Sequence, residues 1–261
     1  SSSLGAGNPM ALKPAPVAYY PLGDNSASNP LTQPNEAVED ATVFDFDASD
    51  SDIINTSYTL PANTTTFSVS MWVKTTNLST LQGLIGSQDS SSDGYWVSIS
   101  SNNINFKING TTTTASTSSL NANTWFHLVV TYDGSNAKVY LNNGSPVSNS
   151  VTETINITAN TIIGRLPWAA FYYLTGSISN AQIWDTNLSS SEVETLYNSG
   201  VPLLTGTQPQ EANLKGWYKL DQSANWDVSG SGNWTIPDAS GNGNDGTSSG
   251  MTSANLVLSD L

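Results

Sequence analysis

Cysteine is absent from this sequence of 261 residues, and charged residues make up only 11% of it. The lack of cysteine excludes disulfide bonds, thiolate metal sites and cysteine nucleophiles. Basic residues are also scarce: seven lysines and arginines stand against 21 acidic residues, which gives a net charge of −14. A charge of this sign opposes binding to phosphate backbones or anionic membranes, so we expect no nucleic-acid partner.

Long apolar runs are missing as well. No stretch approaches the roughly 20 residues that a membrane-spanning helix needs, so no membrane insertion is expected. No signal peptide opens the sequence, but Ser1 rather than a methionine begins it, which is consistent with a processed or partial chain. The surface must be built from Ser, Thr, Asn and Gly, a composition that favours an extracellular or virion-surface location.

Short alternating segments separated by turn residues fill most of the chain. Apolar and polar residues alternate over Phe67–Lys74, as in a half-buried strand. Two apolar runs, Trp125–Tyr132 and Ala137–Leu141, are separated by Asp133-Gly134 and predict a hairpin. Both faces of the first run are apolar, which predicts a strand covered on both sides. The number and shortness of these segments predict an all-β, antiparallel two-sheet sandwich.

One short helix is predicted near residue 190. Ser189 and Glu192 have the spacing of a capping box, and Leu188 and Val193 have that of a hydrophobic staple. Gly200 and then Pro202 end the helix. The residues that it would bury are Val193, Leu196 and Tyr197.

Composition divides the chain into an N-terminal arm or linker (1–16), a main domain (17–200), a polar linker (201–213) and a C-terminal piece (214–261). The start of the last piece repeats the pattern of residues 18–26, so we interpret it as half of a second module. About 50 residues of this composition would hardly fold alone. We expect the half-module to pack on the main domain or on a neighbouring chain. Both terminal pieces could then support a homo-oligomer.

Three segments carry a resemblance to a known superfamily. They are FSVSMWVK at 67–74, TWFHLVVTYDGSNAKVYLNNG at 124–144 and GSISNAQIWDTNLSSSEVETLYNSG at 176–200. In this order the chain resembles laminin-G-like modules of the concanavalin-A-like jelly-roll superfamily. The C-terminal piece looks like the opening of a second such module, with a spacing similar to tandem modules in structural proteins of marine tailed phages. The resemblance implies a jelly-roll sandwich that binds glycans or proteins, often with calcium at one rim, and it does not imply catalysis.

Acidic residues for glycoside hydrolysis do not form an obvious pair. Glycosidases need two carboxylates about 5–10 Å apart. Asp45 and Asp47 lie on one strand face and are expected to face solvent, while Glu153 is alone on its segment. The single histidine, His127, lies on a core strand without a serine and an acid to complete a triad, so we expect a structural role. The chain is therefore predicted not to be an enzyme.

Calcium is the candidate cofactor, because it takes six to eight oxygen ligands and clustered Asp and Asn residues on loops can supply them. Asp47, Asp50 and Asp52 form the first candidate cluster. A second cluster contains Asp238, Ser240, Asn242 and Asn244, but Ser249 stands where an EF-hand loop has its glutamate. The alternative, and the commoner role of such sequences, is a turn in which the side chains bind their own backbone.

A glycan site is predicted in the loop GRLPWAAFYY at 164–173. Its candidate binding residues are Arg165, Trp168, Phe171 and Tyr172. Aromatic faces pack on sugar C–H groups, and an arginine can bind hydroxyls or a carboxylate. The alternative is that Phe171 and Tyr173 point into the core while Trp168 covers the sheet edge. Trp226 and Trp234 are further aromatics that either lie exposed or anchor the C-terminal piece.

The leading hypothesis is a non-enzymatic recognition module that binds glycans or surface proteins during adhesion or host attachment. The alternative is a structural subunit of a virion or extracellular filament that acts through protein–protein contacts. A glycoside-active enzyme is a distant third. The same sandwich carries lectins, hydrolases and scaffolds, so function has to be decided at the site.

Overall fold

The computed structural model describes residues 42–90, 93–230 and 232–261. The predicted arm 1–16 and residues 17–41 of the predicted main domain lie outside these ranges. The strands in chain order are β1 (Thr42–Phe46), β2 (Ile53–Thr56), β3 (Phe67–Thr75), β4 (Gln82–Ser90), β5 (Asp93–Ser100), β6 (Asn103–Ile108), β7 (Thr111–Ser116), β8 (Phe126–Tyr132), β9 (Asn136–Leu141), β10 (Val147–Ser150), β11 (Ile162–Ile163), β12 (Gly176–Trp184), β13 (Leu214–Tyr218), β14 (Asn225–Trp226), β15 (Trp234–Ile236), β16 (Gly246–Ser249) and β17 (Leu256–Leu258). The α-helix is α1 (Ser190–Tyr197), and 3₁₀ turns span Asn198–Gly200, Glu211–Asn213 and Ser253–Asn255.

The strands form two antiparallel sheets. In the described part of the chain, the first sheet has the order β10-β9-β8-β3-β12-β1-β17, with β13 beside the second half of β12. The second sheet has the order β14-β15-β16-β2-β11-β4-β5-β6-β7. The predicted all-β, antiparallel two-sheet jelly-roll sandwich with one short helix is therefore confirmed.

The core lies between the two sheets and is made by alternate side chains of each strand. On the first sheet, Met71 of β3 lies opposite Leu128 of β8. The Phe67 ring contacts Tyr95 and Phe106 of the second sheet, with ring centroids 4.8 and 5.8 Å apart. Alternation thus turns the apolar half of each strand towards the opposite sheet.

The first sheet is covered on its outer face too, because all seven residues of β8 are buried. A second apolar cluster lies there, formed by Val129, Tyr140, Trp184, Leu188, Val193, Leu196, Leu214 and Trp217. The helix α1 supplies part of this cover, and its capping box between Ser189 and Glu192 is present as predicted. Both the double cover and the helix are confirmed, except that Tyr197 is only half-buried.

The segments after α1 belong to the same sandwich. Strand β13 pairs with β12, β16 with β2 and β17 with β1, so residues 214–261 contribute strands to both sheets. The segment 201–213, expected to be a linker, packs on the first sheet: Gln182 donates to buried Gln208 (2.8 Å), and the Trp184 indole donates to the Pro209 carbonyl (2.8 Å). No helix in the described ranges is long and apolar enough to cross a membrane.

Two tryptophans anchor the C-terminal strands. Trp234 is 5% exposed and packs edge-on against Phe44 of β1, with ring centroids 5.1 Å apart. Trp226 is half-buried and lies 5.4 Å from Trp234. Of the two interpretations considered for these residues, the anchoring role is the correct one.

The shared core predicts that residues 42–261 unfold as one unit. Trp234→Ala should lower the free energy of unfolding by about 3–5 kcal/mol in urea or guanidinium titrations, since it removes a buried aromatic side chain. Val228→Ala, at a position 90% exposed, is the matched control and should change it by less than about 0.5 kcal/mol. Two separate transitions, with Trp234→Ala affecting only one, would contradict a common core.

Candidate functional site

The loop between β11 and β12, residues 164–174, is seated on the outer face of the second sheet. The amide of Gly83 in β4 donates to the Tyr172 carbonyl at 2.8 Å. A Cβ atom at Gly83 would lie 1.9 Å from the Leu166 nitrogen, so only glycine permits this close approach. We call residues 164–174 the aromatic loop. Its backbone is fixed to the sheet while part of its side chains project away from it.

Four rings meet at this loop. Trp168 is 52% exposed and Phe171 is 81% exposed. The centroid of the Trp168 ring lies 6.4 Å from that of Trp96 in β5 and 5.7 Å from that of Tyr172. The ring centroids of Phe171 and Tyr172 are 6.3 Å apart. We call Trp96, Trp168, Phe171 and Tyr172 the aromatic cluster. Phe171 does not point into the core, which contradicts that part of the alternative.

Trp96 was missed at the level of sequence, although a signal for it exists. Tyr95 is fully buried in the core, and side chains alternate along β5. Alternation therefore turns Trp96 to the opposite, outer face of the sheet. On that face Trp96 is only 8% exposed, because Trp168 and the Lys107 ammonium lie against its ring, so it supports the exposed rings of the loop.

A polar strip borders the aromatic cluster on β6 and β7. Trp96 lies opposite Lys107, and Lys107 lies opposite Thr112. The Lys107 ammonium is 4.4 Å from the centre of the Trp96 ring. On the same face, Thr114 donates to the side chain of Asn105 at 3.0 Å. Aromatic area next to oriented amide and hydroxyl groups is the composition of many ligand sites.

Arg165 lies at the base of the aromatic loop rather than within the cluster. Its guanidinium carbon is 5.9 Å from the centre of the Tyr173 ring. Its Nε is buried and has no hydrogen-bond acceptor among the described residues. Of the predicted glycan-binding residues, Trp168, Phe171 and Tyr172 are thus brought together, and Arg165 borders them.

The first acidic cluster forms a turn that is closed by its own hydrogen bonds. Asp52 is fully buried, and its Oδ2 accepts from the Asp47 amide (2.9 Å) and from the Asn255 side chain (2.6 Å). Burial raises the pKa of Asp52. The Asp47 carboxylate accepts from the amide and hydroxyl of Ser49, which lowers its pKa, and Asp50 is exposed.

These carboxylates do not fit a calcium ion in this arrangement. Across the described ranges, no three His, Cys, Asp or Glu side chains come together in a way that could hold a metal. Asp47 and Asp52 each direct oxygens at backbone amides, as the turn alternative expects. Calcium binding by this chain stays a prediction without a gathered set of ligands.

The second cluster fastens a turn to β13. Asp238 Oδ1 accepts from the amides of Trp217 and Ser240, both at 2.9 Å, and its Oδ2 accepts from the Asn244 amide at 3.0 Å. The side chains of Asn242 and Asn244 donate to carbonyls of β13. The oxygens and amides of this cluster therefore hold the C-terminal segment on the first sheet.

His127 has the structural surroundings that were expected for it. It is 1% exposed, and its Nε2 lies 2.8 Å from the Ser70 hydroxyl. Its ring stacks on Trp72 at 5.0 Å. Burial lowers the pKa of His127 to about 3, so the imidazole is neutral in the folded protein.

The acids considered for hydrolysis are engaged with different neighbours. Asp45 is exposed, as expected, and accepts from the Ser177 hydroxyl at 3.0 Å. Glu153 accepts from the Asn109 side chain at 3.3 Å. Asp47 belongs to the turn described above. Nothing in these contacts joins two of the acids across a common cleft.

His127 predicts a pH dependence of stability. Its pKa in the folded chain lies below its ordinary 6.5, so the unfolded chain binds a proton that the folded chain does not. The free energy of unfolding should therefore fall as pH drops from about 6.5 towards 3, by at most about 1.4 kcal/mol per pH unit. Urea titrations between about pH 6.5 and 5 test this before ordinary carboxylates titrate. His127→Gln should flatten the slope, and an unchanged slope in that variant would contradict the assignment.

Gly83 predicts a second effect, on the position of the aromatic loop. Gly83→Ala should displace residues 165–172 and change the environment of Trp168, because the added methyl group meets the loop backbone. Gly110→Ala is the control, since a Cβ there meets nothing within 4 Å. Tryptophan emission and the melting temperature are measured for both variants. Equal behaviour of both would show that the loop does not rest on β4.

Comparisons with known proteins agree with this fold. A laminin G family model, described as the concanavalin A-like lectin/glucanases superfamily, matches residues 47–194. No curated protein matches the sequence significantly. Among solved structures, a proposed carbohydrate-binding protein from Bacteroides ovatus superposes with a TM-score of 0.63 at 15% identity, covering 85% of this chain and 60% of its own.

Two further structures are similar to smaller parts of the chain. A SAP-like pentraxin from Limulus polyphemus has a TM-score of 0.46 at 18% identity, covering 60% of this chain and 80% of its own. Domains LG4-5 of the mouse laminin alpha1 chain give 0.45 at 14% identity, covering 58% of this chain and 42% of theirs. At these identities the likeness concerns the fold alone. The family model, however, spans more than half of the sequence. The chain therefore belongs to the concanavalin A-like lectin/glucanases superfamily, as a module of the laminin G type.

Proposed function

We propose that this chain is a non-enzymatic carbohydrate-binding module and that its ligand lies across the aromatic cluster. The observation that carries the proposal is the exposure of Trp168 and Phe171 in a loop held on β4. Large apolar side chains exposed side by side on a fixed backbone are typical of interaction sites. A fixed backbone also lowers the entropy that ligand binding would cost.

The location of the cluster supports the proposal. The outer face of the first sheet is occupied by α1 and its apolar cluster, as described above. On the second sheet, the outward side chains of β6 are half-exposed. The outward side chains of Thr112, Thr114 and Ser116 on β7 are exposed. Hydroxyl and amide groups such as those of Asn105 and Thr114 are suitable partners for sugar hydroxyls. A saccharide could therefore bind rings and polar groups on one face.

Family membership and fold also support a role in carbohydrate binding. The superfamily includes lectins as well as glucanases, and the Bacteroides ovatus protein is itself a proposed carbohydrate-binding protein. The acids Asp45, Asp47 and Glu153 each contact different neighbours, which favours binding over hydrolysis. The Ser-, Thr- and Asn-rich surface favours an extracellular or virion-surface setting. There the module would recognise glycans in adhesion or host attachment.

Trp168→Ala should weaken glycan binding by about 10- to 100-fold, since it removes about 1.5–3 kcal/mol of apolar contact. A glycan array would first identify bound saccharides, and calorimetry with the strongest of them would measure the affinity. Phe171→Ala should act in the same direction. Because both residues are largely exposed, neither variant should lower the melting temperature appreciably.

Leu258→Ala is the control for this experiment, because Leu258 is also exposed (69%) but lies on β17 in the other sheet. Unchanged affinity in Trp168→Ala would place the ligand elsewhere. A wild-type protein that binds no saccharide and instead assembles into ordered particles would favour the structural-subunit alternative.

A further inference from the structure

The basic residues of this acidic protein are distributed unevenly. The described ranges contain six of the seven, and three of these form salt bridges: Lys74 with Asp260, Lys138 with Asp133 and Lys215 with Asp185. The other three lie over aromatic rings and have no carboxylate partner among the described residues; they are Lys107, Arg165 and Lys219. Lys107 and Arg165 both border the aromatic cluster or its loop.

Acidic residues are missing from the same region. The sequence contains 21 of them, yet none occurs over residues 94–132 or 154–184. The first stretch contains β6 and β7 and all of β5 except its first residue, and the second contains the aromatic loop. The face around the cluster therefore carries two cations that no described carboxylate neutralises, on a chain whose net charge is −14.

Lys107 is placed to act on a ligand that covers the rings. Its Nζ lies 4.4 Å from the centre of the Trp96 ring, and Trp96 contacts Trp168 at 6.4 Å. The side chain is half-exposed, so its ammonium can donate to a ligand without leaving the ring. Arg165 adds a buried Nε that lacks an acceptor in the described structure.

We infer that the aromatic cluster selects acidic saccharides, with Lys107 binding the carboxylate or sulfate of the sugar. This inference rests on the proposed function and adds the class of ligand. A charge-assisted hydrogen bond beside stacked rings is stronger than a neutral one, so the acidic group gains most where no carboxylate competes for the cation. The negative charge on the rest of the chain repels the same group and so directs it to this face.

Matched saccharide pairs test the inference with the full chain. Sialyllactose is compared with lactose, trigalacturonate with its methyl ester, and sulfated with unsulfated lactose, by calorimetry or on an array. For at least one pair, the acidic member should bind about tenfold more tightly than the neutral member. Whether that pair differs by a carboxylate or by a sulfate shows which acidic group the site prefers. The preference should decrease as salt rises, because screening weakens the charge contact.

Lys107→Gln should remove the preference, so that the acidic and neutral members of the pair bind the variant with equal affinity. Lys219→Gln is the matched control, since it removes the same charge from a lysine that lies over Trp217 on the first sheet. It should keep the preference. Equal binding of acidic and neutral members by the wild type, or a preference that survives Lys107→Gln, would overturn the inference. If that equal binding still depended on Trp168, the proposed function would stand, whereas absence of binding to every member would overturn both.

Discussion

The central strands of the first sheet are buried on both faces, and the rest of the structure depends on this constraint. Strand β8 is buried along its whole length. One face meets the second sheet, and the other would expose Val129, Tyr140 and Trp184 to water without a further layer. The eight-residue helix α1 would be unstable alone, so its packing on this face stabilises helix and sheet together. Residues 201–217 complete the layer and lead the chain back into both sheets.

This double cover determines where a ligand can bind. The outer face of the first sheet is largely taken up by the chain itself. Among the described residues, no such layer covers β6 and β7 of the second sheet, whose outward residues are polar and partly or fully exposed. The aromatic loop reaches this face by packing on Gly83, which places Trp168 beside Trp96. Within the described ranges, rings, oriented polar groups and cations without a carboxylate partner thus share one face of the second sheet.

The fold was predictable from the sequence because its signals are local. Alternation in β3, the turn after β8 and the capping box of α1 each involve residues a few positions apart. The site was only partly predictable. Trp168, Phe171 and Tyr172 are neighbours in sequence, but Trp96 and Lys107 join them through strand pairing and through a contact between segments about 70 residues apart. The contacts of the acidic turn were not predictable either: Asp52 accepts a hydrogen bond from Asn255, 203 residues away, which no local pattern reveals.

The central claim is that a saccharide binds on the aromatic cluster, and indole N–H signals in a two-dimensional NMR titration test it most directly. The chain has eight tryptophans, and their spectroscopic assignment by substitution separates the cluster from the core and from the first sheet. Addition of the saccharide selected by the array should shift the signals of Trp96 and Trp168 and leave those of Trp184 and Trp217 in place. Saturable shifts confined to Trp72 of β3 and Trp125, which directly precedes β8, with Trp168 unchanged, would contradict the claim.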